Sequence, residues 1–217
     1  TSVLAVRKED WEGDWSLMMV TRNGIAKKSD AAAFKDVRRS GLIAITLKDG
    51  DRLIAAQFVG KGDQVSLITQ LGQAIRFEES DVRQMGRTAA GVTAMKISSK
   101  DRIMSADVLK KDSVDREILI VTENGFGKTT PAKEYKIQKR GGSGIKTVKV
   151  TAKTGPVVRG LIITGEEREE GELVIMSKKG QVIKLPLKQV PALKRDTQGV
   201  KVMKMRAGDS IASVVFV

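Results

Sequence analysis

Residues Gln138 to Gly144 read QKRGGSG, three glycines, two cations and an amide within seven positions. Glycines permit positive φ, so such a stretch can fold tightly and turn several amide N–H groups toward an anion. The neighbouring cations can then pair with phosphate, arginine through two parallel hydrogen bonds and lysine as a point charge. A single copy is as readily an ordinary turn. This one recurs. Arg38 and Arg39 precede Gly41, Arg83 and Arg87 flank Gly86 ahead of Gly91, and Lys194 and Arg195 precede Gly199. The candidate anion-binding loop is therefore Gln138, Lys139, Arg140, Gly141, Gly142, Ser143 and Gly144, with its three counterparts.

Catalytic chemistry has fewer candidates. The chain holds neither His nor Cys, which removes the commonest general base and every thiolate nucleophile or zinc ligand. The single tyrosine, Tyr135, lies inside a repeat without an acidic metal-binding cluster nearby, and reads as a structural residue. No catalytic residue, metal site or cofactor is expected.

The loops belong to a larger repeat. Gly24, Gly72, Gly125 and Gly180 are 48, 53 and 55 residues apart, each three residues after a hydroxyl (Thr21, Thr69, Thr122, Ser177) that ends an apolar run. Basic side chains return just beyond each glycine: Lys27 and Lys28, Arg76, Lys128, Lys184. The basic loop closes on Gly41, Gly91, Gly144 or Gly199, 17 to 19 residues after the first glycine, and leads into LIAITL, VTAMKI, IKTVKV or VKVMKM. Another apolar run follows. Each unit reads as a hairpin, a loop and a second hairpin, four short strands in all. Four-stranded units of this length form the blades of a propeller-like array. The expected blades are 11–59, 60–109, 110–164 and 165–217, in one all-β domain, with 1–10 as the remnant of an earlier blade. The segments SDAAAFKDV and LPLKQVPAL have room for single helical turns. The acidic run EEREEGE, 166–172, is expected on a solvent loop away from any polyanion.

Composition agrees with a polyanionic partner. Thirty-nine Lys and Arg against 26 Asp and Glu give +13. The N-terminus has no signal-peptide pattern and no apolar run reaches membrane-spanning length, so a soluble cytoplasmic chain is expected and no membrane partner. A start without Met, within a strand-like run, points to a fragment.

On these residues the chain resembles the C-terminal domain of the A subunit of DNA gyrase, a bacterial type IIA topoisomerase. The family's box reads Q-R-R-G-G-K-G, and Gln138–Gly144 departs from it only at Lys139 and Ser143. MMVTRNGIAKKS, RRSGLIAI, GRTAAGV and GFGKTTPAKEY extend the likeness along the chain. The resemblance implies a β-pinwheel, a propeller-like array whose blades exchange strands, with about four blades here where the family usually has more. It further implies largely sequence-independent, non-catalytic wrapping of double-stranded DNA around a basic outer rim. In the whole enzyme, ATP-dependent supercoiling then involves the A-subunit cleavage core and the ATPase B subunit; the isolated domain is expected to be monomeric. The corresponding domain of topoisomerase IV is the nearest alternative. A protein-interaction propeller is the alternative of another class, and has to contend with the +13 charge and the recurrence of cations at glycine turns.

Overall fold

Hairpins form where the repeat sets apolar residues ahead of a hydroxyl and a glycine. The computed structural model describes residues 13–37, 41–113 and 115–217. In the first repeat β1 (Ser16–Thr21) pairs antiparallel with β2 (Ile25–Asp30), Met18 opposite Lys28 and Val20 opposite Ala26. Gly24 turns the chain at φ +82°, and a Cβ there would lie 2.5 Å from the Met95 carbonyl oxygen, so two constraints demand glycine. The hydroxyl three residues earlier has a defined task. Thr21 Oγ1 accepts the Ile25 N–H at 3.3 Å, Thr69 Oγ1 that of Gln73 at 3.1 Å, and Ser177 Oγ that of Gln181 at 3.0 Å. Each satisfies the first amide past the turn.

The remaining elements follow in order: β3 (Leu53–Val59), β4 (Gln64–Thr69), β5 (Gln73–Glu78), β6 (Val92–Thr93), β7 (Ile103–Leu109), β8 (Glu117–Thr122), β9 (Phe126–Pro131), β10 (Ile145–Lys146), β11 (Val157–Ile163), α1 (Gly165–Glu170), β12 (Glu172–Ser177), β13 (Val182–Pro186), β14 (Val200–Lys201) and β15 (Ile211–Phe216). The sheets are ordered β3-β1-β2-β6, β10-β5-β4-β7, β11-β8-β9-β14 and β13-β12-β15. The fold is all-β and built of propeller-like blades.

The fourth strand is not the one that the repeat alone suggests. β6, β10 and β14 each come from the following repeat and add to β2, β5 and β9. Nor do they run for six residues. Each ladder stops after two because the chain then caps the neighbouring turn. Ala94 and Met95 both donate to Gly24 O, at 2.8 and 3.2 Å, and Val202 and Met203 do the same to Gly125 O, at 2.9 and 3.2 Å. Residues 42–47 (LIAITL) form no strand.

Contacts divide the chain into two compact units of interleaved segments. One comprises Thr1–Leu67, Ile75–Lys111 and Ile137–Gly144; the other comprises Ile68–Ala74, Asp112–Lys136 and Ile145–Val217. The first is packed around Val20, Leu67, Phe77, Val82, Met95 and Ile103. The second is packed around Leu119, Val121, Leu173, Ile175, Leu187 and Met203, with a further cluster that includes Ile118, Ile120 and Tyr135. Val, Ile and Leu do most of this work, as expected where aromatics are 4% of the chain.

Short 3-10 turns at Ala31–Phe34, Glu79–Asp81, Ala132–Glu134 and Leu187–Gln189 follow the second strand of each repeat and lead into its basic loop. The first and last fall in the two segments expected to hold helical turns. The acidic run is a capped helix rather than a loop. Thr164 Oγ1 accepts from Glu167 N while the Glu167 carboxylate accepts from Thr164 N, a reciprocal capping box. Arg168 anchors α1 through Glu117 and Thr129, both at 2.8 Å, and the Val190 carbonyl at 3.0 Å. The expected remnant strand at 1–10 lies outside the described residues. No helix among them is long and apolar enough to cross a membrane.

Candidate nucleic-acid interface

The basic loops of the second, third and fourth repeats are each bounded on one side by a 3-10 turn and on the other by an exchanged strand. Counted back from the closing glycine, Arg87, Arg140 and Arg195 occupy the same place, four residues before Gly91, Gly144 and Gly199. The backbone ties these three loops to the segment after the preceding loop. Thr46 N donates to Ala89 O at 3.4 Å, Lys96 N to Gly142 O at 2.9 Å, and Lys149 N to Thr197 O at 3.0 Å. In the box itself Gly141 N also donates to Ala94 O at 2.6 Å, and Gln138 N to Arg76 O at 2.8 Å. These loops are held in place by structure around them.

Two of these arginines share a further contact. Arg140 donates through Nε to Asp81 O at 2.7 Å and through Nη1 to Thr93 O at 3.0 Å. Arg195 Nη1 reaches the equivalent carbonyl, Lys146 O, at 2.8 Å, and its guanidinium stands 6.0 Å from the Tyr135 ring centroid. Main-chain carbonyls thus orient the Arg140 and Arg195 guanidinium groups without neutralising them. A guanidinium has five donors, so others are left for a phosphate. Lys139 differs. Its ammonium is 2.8 Å from the Asp81 carboxylate, and that hydrogen bond, with the attraction between the charges, raises its pKa. The net positive charge of the box therefore rests on Arg140.

The other expected cations divide. Arg83, Arg87 and Lys194 are exposed, as is Ser143. Lys184 is exposed and paired with Glu172 across the β12–β13 ladder. Arg38 and Arg39 lie outside the described residues. Four expectations need correction, because the side chains turn inward. Lys27 and Lys128 are fully buried. Lys27 Nζ donates to Ala44 O at 2.5 Å and to Arg87 O; Lys128 Nζ donates to Lys194 O and Arg195 O, each at 2.5 Å. They support the basic loops from beneath. Desolvation draws the Lys128 pKa down to about 8; it lowers that of Lys27 as well, with help from the Arg87 charge. Lys28 is buried and paired with Glu79. Arg76 is half-buried, and its Nε donates to Gln64 Oε1 at 2.6 Å.

Beside the loops stand exposed lysines that the search for cations at glycine turns passes over: Lys96, Lys146, Lys149, Lys201 and Lys204. Their signal was present in the columns of the exchanged segments, where the fifth residue reads Thr46, Lys96, Lys149, Lys204 and the second is basic in the last two copies. Lys146, Lys194 and Arg195 also line an open depression that Glu134 and Asp196 complete.

Tyr135 is buried, its hydroxyl 2.6 Å from Thr147 Oγ1, and burial raises its pKa. It packs as a core residue. Trp15 receives Lys110 Nζ 4.6 Å above its ring, while Trp11 lies outside the described residues.

The two central box glycines are not equivalent. Gly141 has φ +81°, whereas Gly142 has ordinary backbone, and a Cβ on it would meet Gln138 Oε1 and Ile75 Cδ1 at 3.5 Å, normal contact. Gly141→Ala is expected to destabilise the domain by about 1–2 kcal/mol and Gly142→Ala by less than about 0.5 kcal/mol. Urea melts of the two variants check this; equal losses would remove the distinction.

Together these features define an all-β, strand-exchanged repeat protein that presents oriented arginines on glycine loops. The model of a family described as the DNA gyrase C-terminal domain, beta-propeller, matches residues 16–59, 63–110, 116–162 and 171–217. The chain belongs to that family. It is 36% identical over 214 residues to the DNA gyrase A subunit of Staphylococcus epidermidis (strain ATCC 12228 / FDA PCI 1200), a match that covers 99% of this chain and 23% of the relative. It is 35% identical over 214 residues to the same protein of Staphylococcus aureus (strain MRSA252), covering 99% and 24%. The chain thus spans about a quarter of the length of the curated relatives it matches. A solved DNA gyrase A C-terminal domain superposes with a TM-score of 0.79 at 29% identity, over 93% of this chain and 65% of that one. The C-terminal domain of DNA topoisomerase IV gives 0.86 at 24% identity, over 96% and 63%, a likeness of fold.

Proposed function

We propose that the chain binds double-stranded DNA through its basic glycine loops and bends it, with little regard to sequence. The observation that carries this reading is the equivalent placing of Arg87, Arg140 and Arg195, two of them oriented by main-chain carbonyls, in a chain of charge +13. Family membership supports the same reading, since the curated relatives are gyrase A subunits.

Energetics explain why the loop must recur. Bending about 40 base pairs through a half circle costs roughly 10 kcal/mol by a smooth elastic estimate. One nonspecific contact site, with a dissociation constant of about 10⁻⁴ to 10⁻⁶ M, supplies about 5–8 kcal/mol. A single loop falls short. Several loops on one chain succeed, because after the first grip the others act at high effective concentration. No base-reading helix is needed, as in other proteins that combine backbone contact with deformation.

In this reading the domain is non-catalytic. It serves the supercoiling reaction of a DNA gyrase, alongside the A-subunit cleavage core and the ATPase B subunit, in the bacterial cytoplasm at the nucleoid. The alternative of a topoisomerase IV origin has only a fold likeness in its favour.

Salt tests the reading. With four or more phosphates neutralised, log affinity for a random duplex should fall against log salt with a slope of about −3.6 or steeper. Duplexes of unrelated sequence should agree within a few-fold. A flat salt response would overturn the proposal and favour a protein-interaction scaffold.

A further inference from the structure

The basic loops of the second, third and fourth repeats rest on the repeat before. Just ahead of each loop the chain bridges in parallel to the preceding hairpin, Gln84 to Lys28, Ile137 to Arg76 and Ala192 to Thr129. One position of that preceding repeat varies in step with the loop. Nine residues past Gly24, Gly72 and Gly125 stand Ala33, Asp81 and Glu134. The residue after each, Phe34, Val82 or Tyr135, is buried, so the three positions correspond in structure as well as in count. In the loop that follows, five residues before the closing glycine, stand Gly86, Lys139 and Lys194. Alanine thus accompanies glycine, and an acid accompanies a lysine in both other cases.

At the box the acid and the lysine touch. Asp81 Oδ1 accepts from Lys139 Nζ at 2.8 Å, while the main-chain oxygen of the same residue accepts from Arg140 Nε at 2.7 Å. Among the described residues of these two columns, Asp81 and Lys139 alone close an ion pair; Glu134 lines an open depression with Lys194 and Arg195. Stability does not explain the Asp81 carboxylate. The Lys139 side chain is 88% exposed, so water and salt screen the pair. Asp81 is itself 12% exposed, and its Oδ2 is buried with no hydrogen-bond partner among the described residues, which costs the fold free energy.

We propose that Asp81 is a resident counterion of the box, holding Lys139 in place of a phosphate and so setting the duplex affinity of that loop. The inference rests on the DNA-binding reading above. To grip a phosphate, Lys139 must leave Asp81. That trades one ion pair for another and leaves a bare carboxylate beside a polyanion. While the acid is present, the lysine adds little net affinity. Arg140 escapes this competition, because carbonyls rather than a carboxylate hold it. Glu134 has the same role at the fourth loop in a looser form, and the second loop, with Ala33 and Gly86, has no counterion of this kind. A wrap built on such loops is weaker than its number of cations implies, and bound DNA can be released.

Duplex titrations of the 217-residue chain at several salt concentrations test this. Asp81→Asn keeps the carbonyl that orients Arg140 and removes the charge. It should bind a random duplex about five-fold more tightly near 0.1 M salt, with a log–log slope steeper by about 0.9, since one more phosphate is neutralised. Adding Lys139→Ala should abolish that gain, whereas Lys139→Ala alone should change affinity by no more than about three-fold. A merely structural role for Asp81 would not produce this coupling. The reverse substitution, Ala33→Asp at an exposed position, brings an acid to the second loop and should weaken binding about three-fold, an assay that stands even if Asp81→Asn is unstable. Three results would each overturn the proposal: Asp81→Asn binding no tighter than a salt-sensitive wild type, an equal cost of Lys139→Ala in both backgrounds, or no effect of Ala33→Asp. A flat salt response in the wild type would overturn the DNA-binding reading, and this one with it.

Discussion

Replacing Arg87, Arg140 and Arg195 together with alanine is expected to lower duplex affinity by about two to three orders of magnitude near 0.1 M salt and to reduce the salt slope by about 2.7. Each arginine is assigned one phosphate, and each phosphate neutralised contributes about 0.9 to the slope. DNA end-to-end FRET should report a straighter duplex at concentrations that still saturate binding. Lys139→Ala is the internal control. The Asp81 carboxylate already opposes its ammonium, so its loss should change affinity by no more than about three-fold. If Lys139→Ala weakened binding as much as Arg140→Ala, the allocation of charge within the box would be wrong. Because Arg140 and Arg195 also bond to main-chain carbonyls, the melting temperature of the triple variant has to be read beside its affinity.

The second large effect concerns a lysine buried beneath a basic loop. Lys128 is buried with its pKa near 8, well below the ordinary 10.5. The sign of the pH dependence follows. Between about pH 8 and pH 10.5 the unfolded chain holds this proton and the folded chain does not, so folding stability rises with pH across that window, by roughly 2–3 kcal/mol from this group. Lys128→Ile removes the rise, which urea midpoints at pH 7, 8, 9 and 10 detect by comparison with the wild type. Isoleucine is a natural choice, since Ile75 and Ile183 stand at the same distance from their turn glycines. At pH 7 the variant sheds a desolvated charge and loses two charge-assisted hydrogen bonds, effects that largely offset one another in global stability. The local consequence does not cancel. Lys194 O and Arg195 O lose their support, so amide exchange over 194–199 should quicken and DNA affinity fall about ten-fold. Identical pH profiles for the two proteins would show that the ammonium is not desolvated.

Lys128 also shows where sequence reading stopped. Spacing from the turn glycine revealed a basic position common to the repeats, but not which way the side chain points. Lys27 and Lys128, three residues past their glycines, turn inward; four residues past theirs, Lys28 is buried against Glu79, Arg76 is half-buried and Lys184 faces solvent. Alternation along a strand reverses the face with each residue, and grouping the cations by nearness to glycine pools both positions. Hairpins were legible because a hydroxyl, a glycine and an apolar run each have a local cause. Strand exchange was not legible from periodicity. Val92 pairs with Ala26, 66 residues away, and nothing in VTAMKI distinguishes a partner in its own repeat from one in the repeat before; only the family resemblance pointed there. The helix over the acidic run could have been read from Thr164 followed by Glu167, a capping-box spacing, had the charges not drawn attention first. The lysine column at Lys96, Lys149 and Lys204 was visible, yet its bearing on the interface needed the Lys96 and Lys149 amides to be seen holding the next loop.

Borrowing an edge strand from later in the chain has a consequence during synthesis. β2 is complete at Asp30, but β6 arrives with Val92 and Thr93. At about 5–20 residues per second, translation leaves that edge uncovered for roughly 3 to 12 s. β5 and β9 wait similarly for β10 and β14. The nascent chain therefore carries a fresh sticky border behind nearly every blade it completes, and the ribosome's pace sets how long a chaperone has to shield each one.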